Sequence, residues 1–367
     1  MVRVGIIGCG KIADQHAEAI KQISGCEIVG VCDQEELMAK QLYERFRVKR
    51  YFRDVRELLE AEKLDIVHIT TPAQSHFELG KVCLEAGASV YIEKPFTINR
   101  KEAQALIDLA DEKKLKVTAG HNVQFSHVAR RMREVIREGY LGGKPVHMES
   151  IYGYDLGDRS YATALLGDKK HWVRTLPGKL AQNIISHGVC RIAEYLNGNN
   201  PKVISHSFTS PFLRSLGESD IKDEIRSIIV DEDGTTAYFT FSSQMRPIVH
   251  QFRIYGPKNS LIVDDDHQIL IREKGEKYKS YLDYFIPPFV YAKQYAKNGT
   301  YNINKFIKRD FHMNSGMKFL IESFYWSVVN NTPLPISYRE IILTSKIMDA
   351  IFEQINLNEE QDIALSS

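Results

Sequence analysis

Val2-Arg3-Val4-Gly5-Ile6-Ile7, followed by Gly8-Cys9-Gly10-Lys11-Ile12-Ala13, decides the fold. The first six residues read as a buried strand. The next six spell G-x-G-x-x-A and open a helix that runs on through Gln15, His16 and Ala19. Set between a strand and a helix, this motif builds a phosphate cradle. Gly8 lets the chain turn sharply, Gly10 lets a pyrophosphate approach the backbone, and Ala13 lets the helix pack closely on the strand. The free N–H groups and positive dipole end of the helix face the phosphate. A second strand from Glu27 to Cys32 ends in Asp33, near the ~20-residue offset at which an acid meets a ribose. A carboxylate there accepts hydrogen bonds from a ribose 2′-hydroxyl and repels a 2′-phosphate. The next residue is Gln34, not an arginine. The reading is a dinucleotide, with NAD ahead of NADP.

Outward from this turn, strand and helix patterns alternate. Helices are expected over Glu35 to Phe46, around Leu58, from about Gln74 to Ala86 and from Lys101 to Lys113. Strands are expected at Ile66 to Ile69, Ser89 to Ile92 and Lys116 to Ala119. Such alternation means a doubly wound, parallel sheet with ligands at the carboxyl ends of its strands. Gly8, Asp33, Thr71, Lys94 and Gly120 all fall at such ends, which points to one cleft. After Gly139-Tyr140-Leu141-Gly142 the texture changes. Strand patterns at His147 to Tyr154, Phe208, Ile225 to Val230, Thr236 to Phe241, Ile248 to Tyr255 and Leu261 to Val263 follow one another, with hairpin signals such as Asp233-Gly234. A helix carrying Ile184, His187, Ile192 and Tyr195 interrupts the run, and helices return at Gly316 to Val329 and Arg339 to Ile355. The expected architecture is α/β: a Rossmann domain over 1–122, then an α/β domain over 123–367 with a large, mainly antiparallel open sheet. The C-terminal helices are free to pack back on the first domain.

Composition narrows the function classes. With 367 residues the chain can bury two cores. A net charge of +1 gives no bulk field for nucleic acid. No apolar run approaches a membrane span, membrane contact is not expected, and a strand beginning almost at Met1 leaves no room for a signal peptide. Cys9, Cys26, Cys32, Cys83 and Cys190 lack metal spacing and read as reduced thiols of a cytoplasmic protein. Asp264-Asp265-Asp266-His267 reads as a solvated turn, and no metal site is assigned. The aromatic and basic segment from Tyr278 to Phe311 leaves four readings open: a cap on the substrate cleft, an oligomer contact, a lipid-surface contact, or a packed loop-helix insertion.

Thr71-Pro72 with His76 shortly after, Glu93-Lys94-Pro95, and His187 on a helix after Pro177-Gly178 complete a signature. With the glycine turn, they make the chain resemble the glucose–fructose oxidoreductase / inositol dehydrogenase (Gfo/Idh/MocA) family. The resemblance is strongest over the first half and from Trp172 to Leu196. It implies a hydride transfer between NAD(P) and a hydroxyl carbon of a sugar, cyclitol or nucleotide-sugar. It also implies a homodimer or homotetramer, often formed through the open sheet. The implied cofactor residues are Gly8, Gly10, Lys11, Ile12, Ala13, Asp33, Thr71, Pro72, His76, Glu93, Lys94 and Asn122. Lys94 and His187 match the catalytic pair, and Gln124, Trp172, Arg174 and Asn183 join them toward substrate.

The chemistry of these side chains agrees. Oxidising an alcohol needs a hydride acceptor and a base for the hydroxyl proton. The Lys94 ammonium can stabilise a developing alkoxide, and a histidine is suited to take the proton. Arg174 can hold a carboxylate or phosphate bidentately or pair with an acid of the protein. His76 either lies near the cofactor or packs against its helix. Many family members carry an aspartate four residues before the histidine and a glycine two before it; this chain has Asn183 and Ile185. Asparagine gives an imidazolium no charge stabilisation, so Lys94 is expected to carry more of turnover than His187. Two other readings stand beside the dehydrogenase: an NAD-binding regulator without turnover, and a glycoside-cleaving enzyme with retained NAD.

Overall fold

The computed structural model describes residues 1–310 and 315–366, with side chains described as far as Ile355. Phe311, the last residue of the aromatic and basic segment, lies outside the described residues. The chain divides into two compact units, one of residues 1–122 with 316–346 and the other of residues 123–315 with 347–367.

In the first unit, β1 (Val2–Ile7), β2 (Cys26–Cys32), β3 (Arg50–Phe52), β4 (Ile66–Ile69), β5 (Ser89–Ile92) and β6 (Val117–Ala119) form one sheet in the order β3-β2-β1-β4-β5-β6. Every pairing is parallel. Helices α1 (Lys11–Lys21), α2 (Glu36–Phe46), α3 (Val55–Ala61), α4 (His76–Glu85) and α5 (Arg100–Lys113) cover it. β4 and β5 are buried at every position, as strands covered on both faces must be. The expected helix from Gln74 splits into a single tight turn at Ala73–Ser75 and α4. β3 was not anticipated; three residues are too few to show an alternating pattern. α12 (Ser315–Asn330) and the first turns of α13 (Tyr338–Ser366) belong to this unit.

The second unit is built on seven strands: β7 (His147–Gly153), β8 (Lys202–Phe208), β9 (Glu224–Val230), β10 (Thr236–Ser242), β11 (His250–Tyr255), β12 (Asn259–Asp264) and β13 (Ile269–Lys274). Their order is β13-β12-β11-β7-β10-β9-β8. The sheet is mainly antiparallel, but β7 and β10 run parallel at its centre. That pair departs from an all-antiparallel run because long connections separate the two strands and no hairpin joins them. This unit also holds α6 (His127–Arg137), α7 (Arg159–Leu166), α8 (Lys179–Ile184), α9 (Ser186–Ala193), α10 (Pro211–Ser215) and α11 (Leu282–Ile307). The single helix expected around His187 is two, broken at Ile185. α11 continues through Pro287 and Pro288, where a loop-helix insertion was one of the expected readings.

β8, β9 and β10 alternate between buried and exposed positions. Ile225, Ile229 and Phe239 point into the core, whereas Ile204, Ile228 and Tyr238 are exposed. An open sheet with apolar side chains on its outer face needs cover. We propose that a second copy of the chain supplies it. The paired substitution Ile228→Lys and Tyr238→Lys is expected to turn a homo-oligomer into a monomer by light scattering. A wild-type chain that is already monomeric at micromolar concentration overturns the proposal.

Candidate functional site

The first unit carries a cavity of about 630 Å³ at the carboxyl ends of β1, β2 and β4. Gly8, Gly10, Asp33, Thr71 and Pro72, all expected cofactor residues, line it. Gly8 sits at φ +91°, and a Cβ there would lie 2.8 Å from the Thr71 backbone nitrogen, so the turn requires glycine. Gly10 is the N-cap of α1 and makes no side-chain cap. A Cβ built on it meets nothing within 4 Å. The start of α1 therefore presents uncapped N–H groups to open space, the environment a pyrophosphate needs. Asp33 is fixed from both sides: its carboxylate accepts the Cys9 N–H at 2.7 Å and the Glu35 N–H at 2.9 Å. Each oxygen keeps a lone pair for a ribose hydroxyl. These residues fit a dinucleotide.

The same cavity is lined by Arg53 and Arg56, which the reading of Gln34 as the neighbour of Asp33 overlooked. Arg53 comes from the β3–α3 connection and Arg56 from the first turn of α3, well beyond Asp33 in sequence, so no local motif announces them. Arg53 is exposed and pairs with Glu36 at 3.8 Å.

Other expected cofactor residues lie outside the cavity lining. Ala13 is buried beneath α1, Ile12 is half-buried and Lys11 is exposed. His76 is buried. Its Nδ1 lies 2.9 Å from the Pro95 carbonyl and its Nε2 2.9 Å from the Thr71 carbonyl. It ties the end of β4 to the Lys94–Pro95 bend. Burial lowers its pKa, against the pull of these carbonyls.

Lys94 follows β5, and its peptide to Pro95 is cis. Burial lowers the pKa of its ammonium from 10.5, while the Glu93 carboxylate opposes that shift. Glu93 is buried. Burial pushes its carboxyl up, but the hydrogen bond and charge of His16, with Lys94, outweigh this and leave it below the usual range. His121 is buried beside this pair. Burial lowers its pKa to about 4, so it is neutral at pH 7, and its Nδ1 has no hydrogen-bond partner among the described residues. Asn122, two residues beyond Gly120, is half-buried.

Glu93 begins a buried chain that sequence reasoning missed. His16 Nε2 lies 2.9 Å from Glu93 Oε1, His16 Nδ1 lies 2.7 Å from His68 Nδ1, and His68 Nε2 lies 2.7 Å from Tyr325 Oη. The ring of Tyr91 stacks on His68 at 4.7 Å. Glu93 Oε2 accepts the Lys94 N–H at 3.0 Å. Burial holds His68 neutral. With Glu93 ionised and a single proton on the His16 ring, only one polarity satisfies every link; a second proton on His16 would reverse the links to His68 and Tyr325. Tyr325 donates to His68 Nε2, His68 Nδ1–H donates to His16 Nδ1, and His16 Nε2–H donates to Glu93.

In the second unit, His187 and Asn183 are both half-buried. α9 approaches the sheet so closely that a Cβ on Gly188 would lie 2.5 Å from the Phe239 ring of β10 and 3.2 Å from Tyr152 of β7. Ser150 Oγ donates to the Gly188 carbonyl at 3.0 Å, and the Tyr152 ring stacks on His187 at 5.5 Å. These contacts fix the imidazole on a rigid strand and helix.

Two expected substrate residues are absorbed by the protein. Arg174 points its guanidinium at Glu218, the Leu166 carbonyl and both oxygens of Asp220. Of the two partners expected for it, the structure gives acids of the protein. Removing one member of such a buried pair costs about 3–5 kcal/mol. Gln124 is buried and donates to Glu194 at 3.2 Å and to the Cys190 carbonyl at 3.4 Å. Trp172 is half-buried in a single turn, Trp172–Thr175. Asp265 departs from the expected solvated turn: it pairs with Arg191 at 2.9 Å and accepts from Ser126 at 3.2 Å. Among the described residues, no group of three or more His, Cys, Asp or Glu side chains is placed to hold a metal ion.

The polarity of the histidine chain predicts an unusual response to Glu93→Gln. The Gln carbonyl would take the Lys94 N–H, leaving the amide N–H to donate to His16 Nε2. Both imidazoles must then reverse. Nitrogen-15 NMR of histidine-labelled protein at mildly alkaline pH is expected to show His16 changing from the Nε2–H to the Nδ1–H tautomer, and His68 changing the opposite way. His68 carrying its proton on Nε2 in the wild type, or either ring failing to reverse in the variant, overturns this polarity.

Comparison with known proteins places the chain. Residues 2–121 match the oxidoreductase family with the NAD-binding Rossmann fold, GFO_IDH_MocA. The UDP-N-acetylglucosamine 3-dehydrogenase of Acidithiobacillus ferrooxidans is 38% identical over 149 residues, 41% of this chain and 44% of the relative. The alpha-N-acetylgalactosaminidase of Shewanella oneidensis is 26% identical over 228 residues, 58% of this chain and 48% of the relative. The chain thus spans less than half the length of these relatives. The WlbA dehydrogenase of Bordetella pertussis, solved with NADH and UDP-GlcNAcA, shares the fold at a TM-score of 0.74, with 16% identity over 96% of this chain and 94% of that one. The family match lies within the first unit, where residues 2–121 are similar to the NAD-binding Rossmann fold of the Gfo/Idh/MocA oxidoreductases.

Proposed function

We propose that the protein is an NAD-dependent dehydrogenase that moves hydride between the nicotinamide and a hydroxyl carbon of a sugar, cyclitol or nucleotide-sugar. The observation that carries this reading is the open start of α1 at Gly10, with Asp33 on the wall of the same cavity. The match to a UDP-sugar dehydrogenase supports the substrate class. The nicotinamide supplies the hydride acceptor. Within the chain, Gly8 and Gly10 hold the turn open for the pyrophosphate, and Asp33 accepts the ribose hydroxyls. Lys94 hydrogen-bonds the reacting hydroxyl and stabilises its developing negative charge. His187 is the candidate to take the proton, with Asn183 before it on α8, across the break at Ile185.

The match to the alpha-N-acetylgalactosaminidase favours a second reading, in which NAD stays bound and a glycoside is cleaved. Native mass spectrometry of the purified protein separates the two when combined with an assay for net NADH. Retained NAD and sugar turnover without NADH accumulation support glycoside cleavage.

Asp33 is expected to make NAD(H) bind more tightly than NADP(H) in fluorescence titrations. Asp33→Ser removes the charge and leaves Arg53 and Arg56 to meet a 2′-phosphate. It should move the affinity ratio toward NADP(H) by roughly tenfold, about 1.4 kcal/mol. NADP(H) binding the wild type as well as NAD(H) does would overturn the assignment.

Lys94→Ala is expected to abolish oxidation across a panel of UDP-sugars and cyclitols while leaving NAD binding intact. His187→Ala should leave measurable turnover. Asn183 underlies the difference: it offers an imidazolium a neutral hydrogen bond, roughly half as strong as the charge-assisted bond of an aspartate. Equal loss in both variants would return proton transfer to His187.

A further inference from the structure

α11 is amphipathic in the reverse of the usual sense. Its polar side chains face the protein. Gln294 accepts the Arg272 N–H at 2.8 Å and donates to the Arg272 carbonyl at 3.0 Å. Asn298 accepts the Leu270 N–H at 3.1 Å and donates to the Leu270 carbonyl at 3.0 Å. Asn302 donates to the His267 carbonyl at 2.9 Å. These three amides recur every four residues, a rise of about 6 Å along a helix. Two residues of a strand advance about 6.8 Å. Gln294 and Asn298 thus pair with the open edge of β13, the last strand of its sheet, Asn302 holds the turn before it, and the helix satisfies groups that an edge otherwise offers to other chains.

The opposite face is apolar and bare. Leu282, Phe285, Phe289, Ile303, Phe306 and Ile307 are all exposed, Phe289 by 77% and Ile307 by 72%. At 100° per residue they fall on one stripe, which also contains Ala292 and Ala296 and no charged residue. The helix has 26 residues, so the stripe runs about 39 Å. Lys293 and Lys297 border it on one side. Residues 274–310 hold eight lysines and arginines against three carboxylates, in a chain whose net charge is +1.

We propose that α11 docks the protein on an anionic lipid surface, its aromatic stripe lying in the plane of the headgroups and its lysines meeting lipid phosphates. A long helix with an uncharged aromatic face and flanking cations has the chemistry of an interfacial helix. A second copy is a poorer occupant, because across a twofold it would bring two strongly cationic segments together. Contact is at the surface: no helix of the described residues is long and apolar enough to cross a membrane. This proposal departs from the expectation, drawn from composition, that the chain makes no membrane contact.

The test is co-sedimentation of the full chain with vesicles. Vesicles of equimolar phosphatidylcholine and phosphatidylglycerol should bind it roughly tenfold more strongly than phosphatidylcholine alone, and added salt should erase the difference. Phe285→Ser with Phe289→Ser and Ile303→Ser should lower binding to both vesicles by roughly tenfold or more, with the thermal melt unchanged. Lys293→Glu with Lys297→Glu leaves the aromatic stripe intact and should remove only the preference for anionic lipid. Absence of binding to the anionic vesicles overturns the proposal. So does binding that survives the serine substitutions, or a wild-type dimer that those substitutions dissociate.

Discussion

A buried carboxylate cannot be left without donors, and Glu93 organises the first unit around that requirement. An unpaired charge in such a site would cost several kcal/mol. Glu93 therefore takes one donor from the Lys94 backbone and one from His16. His16 lies on α1, the helix whose other end opens the dinucleotide cradle. Its remaining nitrogen needs His68 on β4, and His68 needs Tyr325 on α12. One charge thus links α1, β4, β5 and α12. It also gives residues 316–346, remote in sequence, a reason to belong with the first unit. The same chain holds the Glu93–Lys94 strand end beneath the residue proposed to stabilise the alkoxide.

What was legible in the sequence was local. Val2 to Ala13 places a strand, a turn and a helix within a dozen residues, and the cavity at Gly8, Gly10 and Asp33 follows from it. What was not legible depends on partners far along the chain. Nothing near His16 announces Glu93, 77 residues away, and nothing near His68 announces Tyr325, 257 residues away. Arg53 and Arg56 reach the Asp33 cavity only because β3 pairs with β2. A three-residue edge strand has too little pattern to be seen.

In the second unit, residue types that suggest a ligand also bond to groups of the protein itself. Arg174 has the fork that recognises phosphate, but Glu218 and Asp220 occupy it. Gln124 has a free-seeming amide beside a strand end, yet it ties its turn to α9 through Glu194 and the Cys190 carbonyl. Polar side chains at strand ends serve two masters, and sequence alone does not say which acid or carbonyl stands within 3 Å. For His187 the visible contact is with the sheet: Tyr152 of β7 stacks on its ring, and Gly188 lets α9 approach closely.

The reversed amphipathicity of α11 joins these two lessons. An edge strand such as β13 presents unpaired amide groups at a fixed spacing, and a neighbouring helix can satisfy them only with polar side chains at its own fixed spacing. Once Gln294 and Asn298 are committed to that edge and Asn302 to the turn before it, the geometry of a helix leaves the apolar residues facing away. Hydrophobic periodicity alone would turn Phe285, Phe289 and Ile303 inward, because a helix ordinarily buries its apolar stripe. Here the need to close a sheet edge outranks the burial of that stripe. The protein is left with an apolar surface that its own second unit does not cover, bordered by cations that water accommodates easily and anionic lipid accommodates better.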